Sequence, residues 1–174
     1  MTQVIDISTK DTAAMLRRAL RAAWPTVRFT VRMDRGSAYG WLHVSWEDGP
    51  TTSQVNRLAR AYEGSRFNGQ DDTYHRTPNT LVYFASEQLP QEVSYACCGV
   101  NTSRRIGAQG YARVAAMMNA AQPGVARLRA DGRGLATAYL DDQAAAHLDV
   151  LPGPVDVACA AWRLHHRIDF TEAG

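Results

Sequence analysis

A short polar segment near the middle of the chain carries residue types suited to acid–base or metal chemistry. Asp71 and Asp72 are adjacent, and His75 follows them after Tyr74. Nucleases use carboxylates of this kind to hold a divalent ion that activates water. A metal-dependent nuclease or hydrolase using Asp48, Asp71, Asp72 and His75 is therefore one hypothesis. The alternative is that the segment is a polar loop carrying solvated charge.

The chain has three cysteines, Cys97, Cys98 and Cys159. An odd number is typical of free thiols in a reducing compartment. Neighbouring residues on a strand point to opposite faces, so Cys97 and Cys98 are poorly placed to chelate one metal. A catalytic thiol would need a histidine nearby, for which His43 is the candidate. We expect buried thiols instead, and we assign no catalytic residue, metal or cofactor.

Arginine supplies nearly all of the positive charge, and Lys10 is the only lysine. A guanidinium pairs with phosphate in a bidentate way, and each neutralised phosphate adds salt-sensitive affinity. The alternatives are a solvated basic surface and the arginine bias of a GC-rich genome. The predicted binding residues for nucleic acid or another anionic partner are Arg17, Arg18, Arg21, Arg28, Arg32, Arg35 and Arg66.

The arginines are distributed over two predicted elements near the start of the chain. Apolar residues recur with helical spacing over residues 12–23, with Asp11 as the N-cap, and Pro25 ends the helix. Residues 26–33 alternate between apolar and polar, which predicts a half-buried strand with a basic outer face. A second strand over residues 41–46 would complete an antiparallel hairpin.

The rest of the first 122 residues continues this mixed pattern. A capping box at Thr51 and Gln54 predicts a helix over residues 52–62, which Gly64 ends. Residues 65–79 form a long polar loop, of a length that is uncommon unless the loop binds something or is disordered. The remaining predicted elements are strands over 80–85 and 93–100 and a helix from Asn101 or Ser103 to about Ala121.

The predicted order α-β-β-α-β-β-α is typical of an α+β fold with a mainly antiparallel sheet covered by helices. Residues 1–122 would form this domain. Residues 123–174 would add a mostly helical extension, with helices over 135–148 and 155–165. The sequence shows neither a membrane-spanning apolar run nor a secretory signal, so we expect a cytoplasmic location.

The turn after the second strand combines four residues with separate structural roles. Trp46 offers a large anchor for the core, and Asp48 can bond its own backbone two residues on. Gly49 supplies a positive φ, and Pro50 stiffens the entry to the next helix. The sequence predicts a structural turn here.

Several of these features together resemble a large polyvalent protein-associated domain. They are the basic first helix, the alternating strand, the segment Val44-Ser45-Trp46-Glu47-Asp48-Gly49-Pro50-Thr51 and the later Phe67-Asn68-Gly69. The resemblance covers residues 10–105, and the chain departs from it at Asn68, where aspartate is common, and at Gln70. Such domains occur in polyvalent proteins of phages and conjugative elements, and no catalytic residue is assigned to them.

The resemblance implies a non-enzymatic accessory protein of a mobile genetic element. Its partner would be nucleic acid or a host defence complex, bound through the arginine-rich face and the 65–79 loop. Counter-defence, such as anti-restriction or anti-CRISPR activity, is the implied outcome. The alternatives are the metal-dependent hydrolase above and a protein-interaction module that dimerises or docks through the C-terminal extension.

Overall fold

The computed structural model describes residues 4–36, 39–85, 87, 89–121, 138–140, 153–155, 163 and 166–171. The chain divides into two compact units. The first unit contains Met1–Trp46 and Thr52–Ser103, and the second contains Glu47–Thr51 and Arg104–Gly174. The predicted domain boundary at residue 122 stays a prediction.

Three helices and ten strands have both bounds within the described residues, and their mixture confirms the α+β class. In chain order they are β1 (Ile5–Ile7), α1 (Thr9–Ala23), β2 (Thr30–Met33), β3 (Trp41–Glu47), α2 (Thr52–Ala59), β4 (Ser65–Asn68), β5 (Thr73–Arg76), β6 (Thr80–Val82), β7 (Gln91–Tyr95), β8 (Gly99–Arg105), α3 (Ala108–Ala121), β9 (Ala138–Leu140) and β10 (Gly153–Val155). A short 3-10 turn, Arg60–Tyr62, extends α2.

The strands are distributed over several small open sheets. One has the order β1-β7-β6, with β1 parallel and β6 antiparallel to β7. A second has the order β2-β3-β8, in which Val31 of β2 lies opposite Val44 of β3. This pairing confirms the predicted antiparallel hairpin. The pairs β4-β5 and β9-β10 are both antiparallel.

Helix α1 begins one turn earlier than predicted, with a side-chain cap at Ser8. Ser8 is the N-cap, and its Oγ accepts a hydrogen bond from the Asp11 backbone N–H at 3.1 Å. The Ser8 hydroxyl in turn donates to Asp11 Oδ2 at 2.6 Å. Asp11 is therefore the acidic partner inside the first turn, where the helix dipole favours negative charge. The helix ends at Ala23, before Pro25, as predicted.

The core of the first unit forms where α1, α2 and the β2-β3 hairpin present their apolar residues. Leu16 and Leu20 of α1, Leu42 and Val44 of β3, and Val55 of α2 are fully buried. Three aromatic rings extend this core: Trp24, Phe29 and Trp46 follow one another at centroid distances of 5.8 and 5.6 Å. The helical and alternating periods in the sequence predict the inward positions of Leu16, Leu20, Phe29, Val31 and Val55 correctly.

Several predicted bounds are wrong because polar residues form strands. Residues 65–79 contain the β4–β5 hairpin rather than a continuous loop. The predicted strand over 93–100 is interrupted at residues 96–98, which place Cys97 and Cys98 between β7 and β8. Residues 101–105 belong to β8, so α3 begins at Ala108 and not at Asn101 or Ser103.

Gly64 has a different role from the predicted helix stop. A Cβ at this position would overlap the backbone carbonyl of Tyr95, and the Gly64 N–H donates to Cys97 O at 2.7 Å. The chain therefore needs glycine here because two backbone segments approach each other closely.

In the C-terminal region the described residues include strands at two places where helices are predicted. Ala138–Leu140 and Gly153–Val155 pair with each other, so the helix predictions over 135–148 and 155–165 are wrong at these positions. The other residues of those two predicted helices lie outside the described part, except Arg163, which is helical. No helix among the described residues has the length and apolar character needed to cross a membrane.

Candidate nucleic-acid interface

The arginine-rich face of the first unit is built from one side of α1 and the outer face of the β2 segment. Arg17, Arg18 and Arg21 lie off the apolar stripe of α1 and are exposed. Arg28 and Arg32 are also exposed, because the inward positions of this segment are taken by Val31 and its apolar neighbours.

Arg17 joins the two elements of this face. Its Nη2 donates a hydrogen bond of 2.7 Å to the backbone carbonyl of Val31 on β2. The bond fixes the guanidinium between α1 and β2 while the side chain remains on the surface. Arg17 therefore combines a structural contact with a charge that faces solvent.

Two surface grooves meet at Arg17. The larger, of about 730 Å³, is lined by Arg32, Asp34, Arg35 and Tyr39 in addition to Arg17. The smaller, of about 190 Å³, continues past Arg17 with the side chains Arg21, Pro25, Val27, Arg28 and Phe29. Five of the seven predicted arginines thus line two grooves that share one residue, and Asp34 is the one acid that the described part of the chain contributes to them. Arg18 is exposed beside them.

Arg66 belongs to a second basic area, which sequence reasoning identifies only in part. It lines a groove of about 370 Å³ with Arg60, Glu63 and Phe67. An adjoining groove of about 390 Å³ is lined by Arg57 and Arg60 with Ser53 and Asn56. Arg57 and Arg60 are three residues apart, so a helix places both on one side. This spacing is the sequence feature from which the second basic area could be predicted.

The acidic segment forms the tip of the β4–β5 hairpin. Asp71 Oδ2 lies 2.6 Å from His75 Nε2, and Asp71 Oδ1 accepts hydrogen bonds from the hydroxyl and the N–H of Thr73. The hydrogen bond with His75 holds the pKa of Asp71 below its usual value. All these side chains are exposed, and Asp72 has a positive φ of 55°.

This geometry is that of a hydrogen-bonded turn. Among the residues that the structure describes, no group of three or more His, Cys, Asp or Glu side chains could hold a metal ion. Asp48, the fourth member of the hydrolase hypothesis, lies in the second unit and has a different role.

Asp48 caps helix α3 from a distance of 59 residues in the sequence. Its carboxylate accepts hydrogen bonds from the N–H groups of Gly107 at 2.8 Å and Gly110 at 3.1 Å. The Tyr111 N–H donates to the Gly107 carbonyl, so Gly107 stands at the N-cap position, where it offers no side chain. Asp48 supplies the acceptor that an N-cap side chain would otherwise provide.

The two glycines leave the space that this carboxylate fills. A Cβ at Gly110 would overlap Asp48 Oδ1, and a Cβ at Gly107 would lie 2.8 Å from Asp48 Oδ2. Asp48 itself has a positive φ of 51°, followed by 58° at Gly49, and its N–H donates to Arg105 O. The turn is shaped to present this carboxylate to the helix.

Arg104 holds the other side of the same turn. Its Nε donates to the Asp48 carbonyl at 2.8 Å, and its Nη2 donates to the carbonyls of Gly49 at 2.6 Å and Ile168 at 2.8 Å. The guanidinium carbon lies 5.0 Å from the ring centroid of Phe170, whose N–H donates to Gly49 O. Burial lowers the pKa of Arg104 to about 10, which leaves it charged at neutral pH.

We call Asp48, Gly49, Arg104, Gly107, Gly110 and Phe170 the turn cluster. It connects the start of α3 and the segment around Phe170 to the Asp48–Gly49 turn. The hydrogen bonds described above join its members to each other and to main-chain groups, and the Phe170 ring also lies 5.7 Å from the guanidinium carbon of Arg113. These contacts are structural.

Cys97 does not offer a nucleophilic thiol. Cys97 is fully buried, its Sγ donates to the Gly99 carbonyl at 3.3 Å, and burial raises the pKa of its thiol to about 11. A thiol in this state is not a nucleophile at neutral pH. Cys98 is partly buried next to Gly40, and Cys159 lies outside the described residues.

Searches of curated proteins and of solved structures find no significant similarity. Residues 7–111 match the family described as Large polyvalent protein associated domain 29. This range takes in the arginine-rich face, the β4–β5 hairpin and both glycines that Asp48 caps. The chain belongs to this family of domains associated with phages and mobile elements, whose specific function is unknown.

Proposed function

We propose that this protein binds nucleic acid through the arginine-rich face of its first unit. It would act in the bacterial cytoplasm as a non-enzymatic accessory protein of a mobile genetic element. Counter-defence, such as anti-restriction or anti-CRISPR activity, is the biological outcome that we propose for this binding. The metal-dependent hydrolase is not carried forward, because Asp71 and His75 bond each other in an exposed turn.

One observation carries the proposal. Five exposed arginines line two grooves that share Arg17, and among the described residues of the linings only Asp34 is acidic. A guanidinium binds phosphate through two parallel hydrogen bonds, and a row of them follows a phosphate backbone well. The bond from Arg17 to Val31 O keeps α1 and β2 in a fixed relation, so the row is arranged before a ligand arrives.

The test is fluorescence anisotropy of a labelled DNA duplex at low and near-physiological salt. We expect micromolar or tighter binding at low salt, with a steep salt dependence. The double variant Arg32→Ala plus Arg35→Ala removes two charges from the larger groove. It should weaken binding and reduce the slope of log K against log salt by about 1–2, since each phosphate contact contributes about 0.9.

A charge-matched control is available outside the grooves. Lys10→Ala plus Arg105→Ala also removes two exposed positive charges and leaves every groove residue in place. This control should retain most of the affinity and slope. If the two double variants lose equal affinity for DNA, the loss depends only on net charge, and a defined binding face is contradicted. If the wild-type protein binds neither duplex nor single strands at low salt, the proposal is overturned, and a host protein target should be sought by pull-down.

A further inference from the structure

Two large aromatic side chains are exposed side by side on the β4–β5 hairpin. Phe67 is 49% exposed and Tyr74 is 56% exposed, and the strand register places them directly opposite each other. Their ring centroids are 5.3 Å apart. What distinguishes the pair from the other exposed hydrophobic residues is that two adjacent rings offer flat faces on which a ligand ring could stack.

The rings are held in place from below. Tyr74 contacts Trp41 of β3 edge-to-face, with centroids 5.9 Å apart and planes at 87°. Trp41 occupies space that Gly99 leaves open, because a Cβ at Gly99 would lie 2.6 Å from the indole ring. Phe67, Tyr74 and Trp41 therefore form a continuous row of rings, which we call the aromatic row.

The base of the hairpin is also fixed to the first unit. The Ser65 hydroxyl donates to Cys98 O at 2.6 Å, and the Thr77 hydroxyl donates to Glu63 O at 2.6 Å. The Gly64 N–H donates to Cys97 O, and the Thr77 N–H donates to Gly64 O. A ligand that contacts the rings would therefore have little chain entropy to remove.

Positive charge flanks the aromatic row at the base of the hairpin. Arg66 precedes Phe67 and lines the same groove as Arg60, while Arg76 follows His75 on β5. The acid in this groove, Glu63, accepts a hydrogen bond from the Val100 N–H at 3.1 Å. Asp71 and Asp72 lie at the opposite end, at the tip. This charge pattern favours an anionic ligand near the base and disfavours one at the tip.

We propose that the β4–β5 hairpin binds unpaired nucleotides of a single-stranded nucleic acid, with bases stacked on Phe67 and Tyr74 and phosphates near Arg60, Arg66 and Arg76. A base exposes its ring face only when it is unpaired, whereas a duplex buries these faces in its own stack. The combination of exposed rings and flanking guanidinium groups matches this chemistry. The inference rests on the proposed function and adds strand type and a second contact surface.

The test measures binding of fluorescein-labelled dT and rU oligonucleotides of about 15 nucleotides, beside a duplex of the same length. The variant is Phe67→Leu plus Tyr74→Leu, which keeps apolar bulk and removes both ring faces. We expect its affinity for the single strands to fall at least about fivefold, and its affinity for duplex to stay within about twofold. The dT and rU arms distinguish DNA from RNA as the source of the strand.

Two further variants separate stacking from folding. Tyr74→Phe keeps the ring and should bind single strands like the wild type. Phe67→Leu alone leaves the contact between Tyr74 and Trp41 intact, and it should still weaken single-strand binding if the double variant unfolds. Far-UV circular dichroism checks the fold of each variant.

The outcomes distinguish this inference from the proposed function. The stacking inference is overturned if the double leucine variant binds single strands as tightly as the wild-type protein does. It is also overturned if the variant loses as much affinity for duplex as for single strands. Absence of single-strand binding by the wild-type protein at low salt also overturns it. The arginine-rich face fails separately, if Arg32→Ala plus Arg35→Ala leaves duplex binding unchanged.

Discussion

The turn cluster of the second unit and the arginine-rich face of the first use the same side chain in opposite ways. Arg104 directs its guanidinium to the carbonyls of Asp48, Gly49 and Ile168. Arg32 and Arg35 extend into solvent along an open groove. The comparison shows that the residues easiest to recognise in the sequence, around Asp48, build the architecture. The residues proposed to bind have no motif at all.

The strongest test of this contrast is Arg104→Ala. It leaves the three carbonyls without their charged donor, and hydrogen bonds of this kind contribute about 1.5–3 kcal/mol each. We expect the free energy of unfolding to fall by about 3 kcal/mol or more. Urea unfolding followed by circular dichroism measures the change.

The neighbouring residue provides the control. Arg105 is exposed, and its Nη2 lies 3.7 Å from Glu47 Oε2, so Arg105→Ala should change stability by at most about 0.5 kcal/mol. Comparable losses in the two variants would contradict the structural role assigned to Arg104.

A second test concerns the cap of α3 and should have a somewhat smaller effect. Asp48→Ala removes the acceptor for two N–H groups and should cost about 2 kcal/mol. Gly110→Ala places a methyl group against the carboxylate and should cost about 1–3 kcal/mol. The double variant should cost less than the sum, because the methyl group fits once the carboxylate is gone. Thermal unfolding of the four proteins gives the coupling, and simple additivity would mean that the contact is not made.

The smallest effect on stability should come from Arg17. Its role is intermediate between that of Arg104, which bonds only within the fold, and that of Arg32 and Arg35, which extend into solvent. Its bond to Val31 O predicts a stability loss of about 1 kcal/mol in Arg17→Ala, together with weaker duplex binding. Arg18→Ala removes an exposed neighbour and should leave stability within about 0.5 kcal/mol. Chemical unfolding of both variants measures this difference. Equal stabilities of Arg17→Ala and Arg18→Ala would show that the bond to Val31 O does not stabilise the fold.

The sequence predicts those parts of the fold that follow a hydrophobic period. Helix α1 and the β2–β3 hairpin are of this kind, and with them the positions of Arg17 and Arg32. The β4–β5 hairpin has no such period because nearly every side chain in it is exposed, and the hairpin depends on ring contacts and on bonds at its base. In strand β8, half-buried residues such as Thr102 alternate with the exposed residues Asn101 and Ser103. Asn and Ser are also common at the start of a helix, so the sequence favours a helix cap here.

The residues of the candidate sites are likewise predictable only where they lie on an element with a hydrophobic period. A surface arginine on a periodic element can be located from the period, whereas the position of Arg76 becomes meaningful only when the β4–β5 hairpin is placed. For Asp48, the local turn is readable, since an Asp-Gly pair favours positive φ. The residues whose N–H groups donate to its carboxylate, Gly107 and Gly110, are too far along the chain for any local pattern to connect them with Asp48.

The second unit is discontinuous, because five residues from the middle of the chain, Glu47–Thr51, belong with everything from Arg104 onward. Mobile elements exchange coding segments by recombination. A single crossover between residues 52 and 103 would take the Asp48 turn and the start of α3 from different parents. Such a hybrid should keep the cap only where one parent supplies Asp48 and the other supplies glycine at positions 107 and 110.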